Sequence, residues 1–184
     1  MAAYLFIFLL LATSADIAAI ALVASFIEQR FVAGKFLLQF AVCTLIVGAL
    51  ACGGMLLGNF GSQFFDTQMN VWFSASLMLV MSLKAAYDGF KLAPTKRSVN
   101  TAFIGGLATV AAFAGINAFI YSLALGFLHL APLPSVLLTA PLFFIVLLVA
   151  GIVGTKQKRI PRIHSEWILS AASLFCALLI IYNR

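Results

Sequence analysis

Charge is scarce in this chain. Five acidic and 11 basic side chains are spread over 184 residues, so 9% of the sequence is charged and 64% is hydrophobic. A soluble domain carries about 25% charged and about 45–50% apolar residues, so this chain cannot cover a water-facing surface. Chemistry-bearing residues are equally sparse. The two histidines, His129 and His164, share no metal-ligand spacing, and no C-x-x-C, H-E-x-x-H, G-x-S-x-G or P-loop pattern occurs. Enzyme chemistry has nothing to stand on, and we expect no catalytic residue and no resident cofactor. No run of five basic residues exists either, so the net charge of +6 does not describe a nucleic-acid-binding protein. Cys43, Cys52 and Cys176 all lie inside apolar segments and read as small packing residues rather than a disulfide framework.

Apolar length is what the chain has in abundance. Six stretches, at about 3–26, 36–59, 71–90, 101–127, 134–154 and 165–182, approach or exceed the roughly 20 residues of a membrane-spanning helix. Turn and polar residues separate them: Glu28-Gln29-Arg30, Gly61-Ser62-Gln63, Pro94-Thr95-Lys96-Arg97, Pro132-Leu133-Pro134, and Lys156 through Glu166. Barrel strands would alternate in and out, whereas these runs are continuously apolar, and in lipid only helices then satisfy the backbone. The first stretch lacks a positively charged start and a cleavage site, and reads as a retained helix. The expected fold is an all-α integral membrane protein with six transmembrane helices in a single domain over residues 1–184.

The basic residues orient it. Arg30, Lys35, Lys91, Lys96, Arg97, Lys156, Lys158, Arg159 and Arg162 fall in the first, third and fifth loops. The opposite side carries Arg184 alone. By the positive-inside rule the three basic loops are cytoplasmic and both termini face outward. An offset of 101 residues lays Thr13-Ser14-Ala15-Asp16 on Ala114-Gly115-Ile116-Asn117. The chain then divides into repeats of about 1–92 and 99–184. Three helices per half force the second copy to enter from the other side, giving the inverted repeat found in transporters with a midmembrane site.

Few side chains inside the stretches carry chemistry. Asp16, near the middle of the first, costs on the order of 2.5–3.5 kcal/mol at that depth. It suits an ion or proton site, or a protonated acid bonded to a neighbouring helix. Thr13 lies one turn before it on a narrow face of small residues. Asn117 holds the matching depth in the fourth stretch, its amide oxygen serving as a hard cation ligand or as glue between helices. On the second stretch Gln39, Cys43 and Thr44 lie one turn apart; Cys43 reads either as a soft ligand or as packing. Lys84 and Asp88, spaced i, i+4 in the third, predict an ion pair that anchors or gates the cytoplasmic end. Gly53, Gly54 and Gly58, like Gly151 and Gly154, predict close helix contacts. Pro141 and the Gly105-Gly106 pair are places where a helix would kink or unwind.

Taken in order, these segments resemble the bacterial manganese efflux pump (MntP) family of the LysE exporter superfamily. Ser14-Ala15-Asp16 resembles that family's S-x-D in its first helix, and Lys84-Ala85-Ala86-Tyr87-Asp88-Gly89-Phe90 resembles its basic-x-x-x-acidic-Gly-Phe segment. Gly115-Ile116-Asn117-Ala118 falls where the family has a second S-x-D-A, and Cys43-Thr44 where it has Glu-Thr. Asn117 and Cys43 thus stand in place of two acids. The resemblance implies six helices and export of a small cation, a divalent metal such as manganese, between the first and fourth helices of a bacterial inner membrane. Asp16 and Asn117 would be its metal ligands, with Thr13, Cys43 and Thr44 around them. The bilayer and the small cation are the expected partners, self-association is left open, and nucleic acid is not expected. Two other readings stay open: an amino-acid exporter of the LysE kind, using Tyr121 and Phe113 around the solute, and a member that no longer transports. Reporter fusions test the orientation: alkaline phosphatase joined after Gln63 should be active, and joined after Arg97 inactive.

Overall fold

The computed structural model describes Ala18 and residues 33–91, 104–129, 132–156 and 165–182, with side chains over 37–90, 115–129, 140–153 and 166–182. Five helices fill them: α1 (Ala33–Gly61), α2 (Thr67–Lys91), α3 (Ile104–Gly126), α4 (Pro132–Lys156) and α5 (Ser165–Tyr182). One 3-10 turn, Ser62–Phe64, joins α1 to α2. These helices answer to the second through sixth apolar stretches, and no strand occurs among the described residues. Two windows, Leu37–Phe64 and Thr67–Phe90, are long and apolar enough to cross a membrane. Apart from Ala18, the first stretch lies outside the described residues, and with it Asp16 and Thr13.

Helix ends follow local chemistry. Asp66 stands just before α2, and its carbonyl accepts the first amide of the helix from Asn70 at 3.0 Å. Glu166 sits in the first turn of α5, where a negative charge suits the helix dipole. Pro132 and Pro134, expected in a loop, instead open α4. A helix's first turn has no intrahelical partner for its amides, so the missing N–H costs nothing there. Pro141 and the Gly105-Gly106 pair both lie inside continuous helix, so neither unwinds its segment.

The tightest contact joins α1 to α3, which run parallel. A Cβ built on Gly54 would strike the Phe119 carbonyl, and one on Gly58 would lie 2.8 Å from the Gly126 Cα. From the other side, a Cβ on Gly126 would come within 2.6 Å of the Met55 carbonyl. The helices therefore touch backbone to backbone, which only the absence of side chains permits. Gly53 faces open space by comparison, with Phe119 at 3.9 Å. One face of α2 and one of α5 fill a first core: Ala75, Met78, Met81 and Ala85 meet Leu169, Ala172, Cys176 and Ile180, with Met55 and Leu125 closing it. A second core gathers Phe40, Cys43 and Val47 of α1, Ala118 of α3, and Phe143, Leu147 and Ala150 of α4, with Ala18 packed against it.

Apolar side chains cover the outside as well. Leu45, Leu83 and Phe90 are 72%, 71% and 78% exposed, among many other large hydrophobics on the surface. Such a surface is consistent with a helical membrane protein. Across α2 and α5, Ser82 Oγ donates to the Ser170 carbonyl at 2.9 Å and Ser170 Oγ donates back to the Ser82 carbonyl at 3.0 Å. The glycine contact sets a test. Gly58→Leu should destabilise the folded protein by roughly 1–3 kcal/mol or more through overpacking against backbone, whereas Gly53→Ala should be near neutral. Thermal unfolding in detergent reads the difference.

Candidate functional site

One ionisable group of α2, Lys84, reaches across to another helix. Lys84 Nζ donates a 2.7 Å hydrogen bond to Oδ1 of Asn117 on α3. Helix direction makes this possible. Phe73 stacks on Phe127 with centroids 5.9 Å apart, so α2 and α3 run antiparallel, and counting forward along α2 and back along α3 brings Lys84 level with Asn117. Asn117 is half-buried, and the Lys84 side chain is exposed.

Aromatic rings mark the two ends of α2. Trp72 precedes Phe73, which joins Phe65 and Phe127 in a ring series at one end of α2. Trp167 stacks edge-on against Phe90 at the other end, centroids 4.7 Å apart. Trp72 and Phe90 are 18 residues apart in sequence, about 27 Å along a helix, close to the roughly 30 Å of a bilayer's apolar core. Lys84 lies six residues from Phe90, about 9 Å inside that aromatic end. Its ammonium does not turn back toward the nearer end, as a snorkelling lysine does. It meets an amide instead.

The predicted Lys84–Asp88 ion pair is therefore replaced. Asp88 is half-buried one turn further along α2, and among the described residues it holds no ion pair with Lys84. In a helix, a cation placed N-terminal to its acid is the weaker i, i+4 order. The Asn117 oxygen across the helix pair wins. The structure thus joins two predicted site residues that the sequence had placed apart.

The other candidates are distributed around the second core. Cys43 is buried within it, and Thr44 donates its hydroxyl to the Phe40 carbonyl of its own helix at 2.8 Å. Thr44 thus spends its proton inside α1. Ala118, next to Asn117, and Ala18, two residues after Asp16, pack on the same core as Cys43. Asp16 and Thr13 lie outside the described residues, and among the described residues no three His, Cys, Asp or Glu side chains gather in a way that would hold a metal.

A second polar cluster at the opposite end of α2 went unread in the sequence. Ser62 Oγ donates to the Asn59 carbonyl at 2.7 Å, which leaves its oxygen to accept from His129 Nδ1 at 3.3 Å. Asn70 Nδ2 donates to the Ser62 carbonyl at 3.0 Å and to the Phe65 carbonyl at 3.3 Å. His129 takes the left-handed conformation, φ 58°, as α3 ends. The cluster clasps the α1–α2 turn to the end of α3. Its signal was Asn70 and Ser74 at i, i+4 in an apolar run: both are buried, and among the described residues Asn70 Oδ1 and Ser74 Oγ lack a hydrogen-bond partner. Gln39 Nε2 is likewise buried without one.

No protein-family model, curated protein or solved structure matches the chain. The Lys84–Asn117 bond is measurable by a double-mutant cycle. Lys84→Met and Asn117→Leu, singly and together, should show a favourable coupling of about 1 kcal/mol in detergent unfolding, a charged hydrogen bond discounted for the exposure of Lys84.

Proposed function

We propose that this chain is a membrane transporter that exports a small cation, a divalent metal such as manganese, through a midmembrane passage lined by Asp16 and Asn117. In this reading it catalyses no reaction. It sits in a bacterial inner membrane with six spans, basic loops in the cytoplasm and both termini outside. The observation that carries the proposal is the Lys84–Asn117 bond: the amide oxygen of Asn117 already accepts a positive charge within the apolar zone. Ionisable groups at such depth mark ion and substrate pathways more often than structural anchors.

Other features support the reading. The alternation of helix direction places the α1–α2 turn and the end of α3 at one end of the bundle. The end of α2 and the start of α5 lie at the other. Lys91 and the flanks of the basic third and fifth loops thus share one end, as the orientation requires. The second and fifth stretches pack together, and so do the third and sixth. Equivalent helices of two inverted halves meet in this way across a two-fold axis. The reciprocal Ser82–Ser170 bonds have that two-fold character at the level of single atoms. Ala18, Cys43 and Ala118 share one core, so Ala18, α1 and α3 meet beside Asn117.

A second reading draws on the same bond. The group on the Asn117 oxygen is a primary alkylammonium, so a small organic solute bearing an ammonium group, such as an amino acid, suits this acceptor too. Flux into proteoliposomes separates the two. Under the metal reading, Mn²⁺ moves, Asp16→Asn abolishes transport, and Asn117→Leu reduces it at least about tenfold. Movement of an amino acid without any metal flux supports the second reading. With correctly folded protein, no movement of either solute rejects transport.

A further inference from the structure

We infer that Lys84 is a tethered competitor for the cation position at Asn117, and that it exchanges between Asn117 and Asp88 as a cation enters and leaves. The inference rests on the transport reading and assigns the residues that regulate its site.

Three observations carry it. First, Lys84 Nζ occupies the Asn117 Oδ1 acceptor at 2.7 Å. A cation approaching that oxygen meets an ammonium already bound there, and like charges a few ångströms apart repel. Bound cation and bound Lys84 therefore exclude one another. Second, the lysine has freedom to leave. Its side chain is exposed, and the hydrogen bond to Asn117 is its only polar tie among the described residues. Third, it has somewhere to go. Asp88 is one helical turn toward the basic end, on the same face of α2, and half-buried. Side chains at i and i+4 have Cβ atoms about 5–6 Å apart, within reach of a lysine's flexible stem.

The two positions differ in what they offer a cation. With Lys84 on Asn117, the amide is filled and Asp88 stands uncompensated at the cytoplasmic mouth, where it attracts cations. With Lys84 on Asp88, the amide is open and the mouth is neutral. An entering cation thus trades places with the ammonium at the amide oxygen. Lys84 would then hold the empty site closed to chance ions and set the concentration at which transport begins.

Initial rates of flux in proteoliposomes test this with two probes used separately, Mn²⁺ and ethylammonium. Lys84→Met should lower the half-saturating concentration of the transported probe by roughly tenfold or more, because a unit charge is removed from beside the site. Lys84→Gln should act in the same direction, and it serves if the methionine variant fails to elute as folded protein. Lys84→Arg, which keeps the charge, should not. Asp88→Asn should raise the half-saturating concentration by removing the lysine's second position, and this shift should vanish in the Lys84→Met background. A half-saturating concentration unchanged or raised in Lys84→Met, or an Asp88→Asn shift that persists without the lysine, overturns the inference while leaving transport in place. Flux in Lys84→Met but not in wild type supports it in its strongest form. No flux of either probe in any folded variant overturns the transport reading, and the inference with it.

Discussion

The backbone contact between α1 and α3 is the constraint from which the rest of the arrangement follows. Gly54, Gly58 and Gly126 allow two helices to meet with no side chain between them. In a surrounding as apolar as the helices themselves, hydrophobic burial does little to drive association, and close packing has to supply it. Once α1 and α3 are locked in parallel, the short turn at Ser62–Phe64 throws α2 back antiparallel along them. That return brings Lys84 level with Asn117. The chemistry of the site is thus a result of where three glycines sit and how short one turn is.

Two kinds of polar tie then fix what packing leaves free. At one end the clasp of Ser62, Asn70 and His129 holds a turn whose backbone carbonyls would otherwise go unpaired. Near the other end the Lys84–Asn117 bond joins α2 to α3. The clasp is made mostly of side-chain bonds to main chain, which suits a permanent joint. The second tie has a mobile cation on one side, which suits a joint that opens. The difference lies in the donor, since both ties end on an oxygen.

Much of the fold was legible because long apolar helices advertise themselves by length and composition. The boundary of the last helix, residues 165–182, is the same in hydropathy and in structure, since charged residues precede it. The start of α4 was not legible, because prolines that mark loops elsewhere are tolerated in a first helical turn. The glycines of the second stretch announced a close contact, but nothing in their spacing named Gly126 as the partner. Lys84 was misassigned for the same kind of reason. Sequence shows the neighbour at i+4, while the acceptor that wins is 33 residues away and is brought near only by the path of α2 and α3. Asn70 and Ser74 passed as incidental polar residues because an apolar window averages them away.

The reciprocal serines of α2 and α5 have a property of their own. Each hydroxyl bonds to the other residue's main-chain carbonyl, with the two hydroxyls 3.4 Å apart. A carbonyl survives any substitution of its own side chain. Loss of one serine therefore removes one bond and strands nothing, because the remaining hydroxyl keeps its acceptor. The joint fails in halves rather than all at once. Such redundancy lets either position drift during evolution while the helix pair stays fastened, a tolerance that a bond between two side chains lacks.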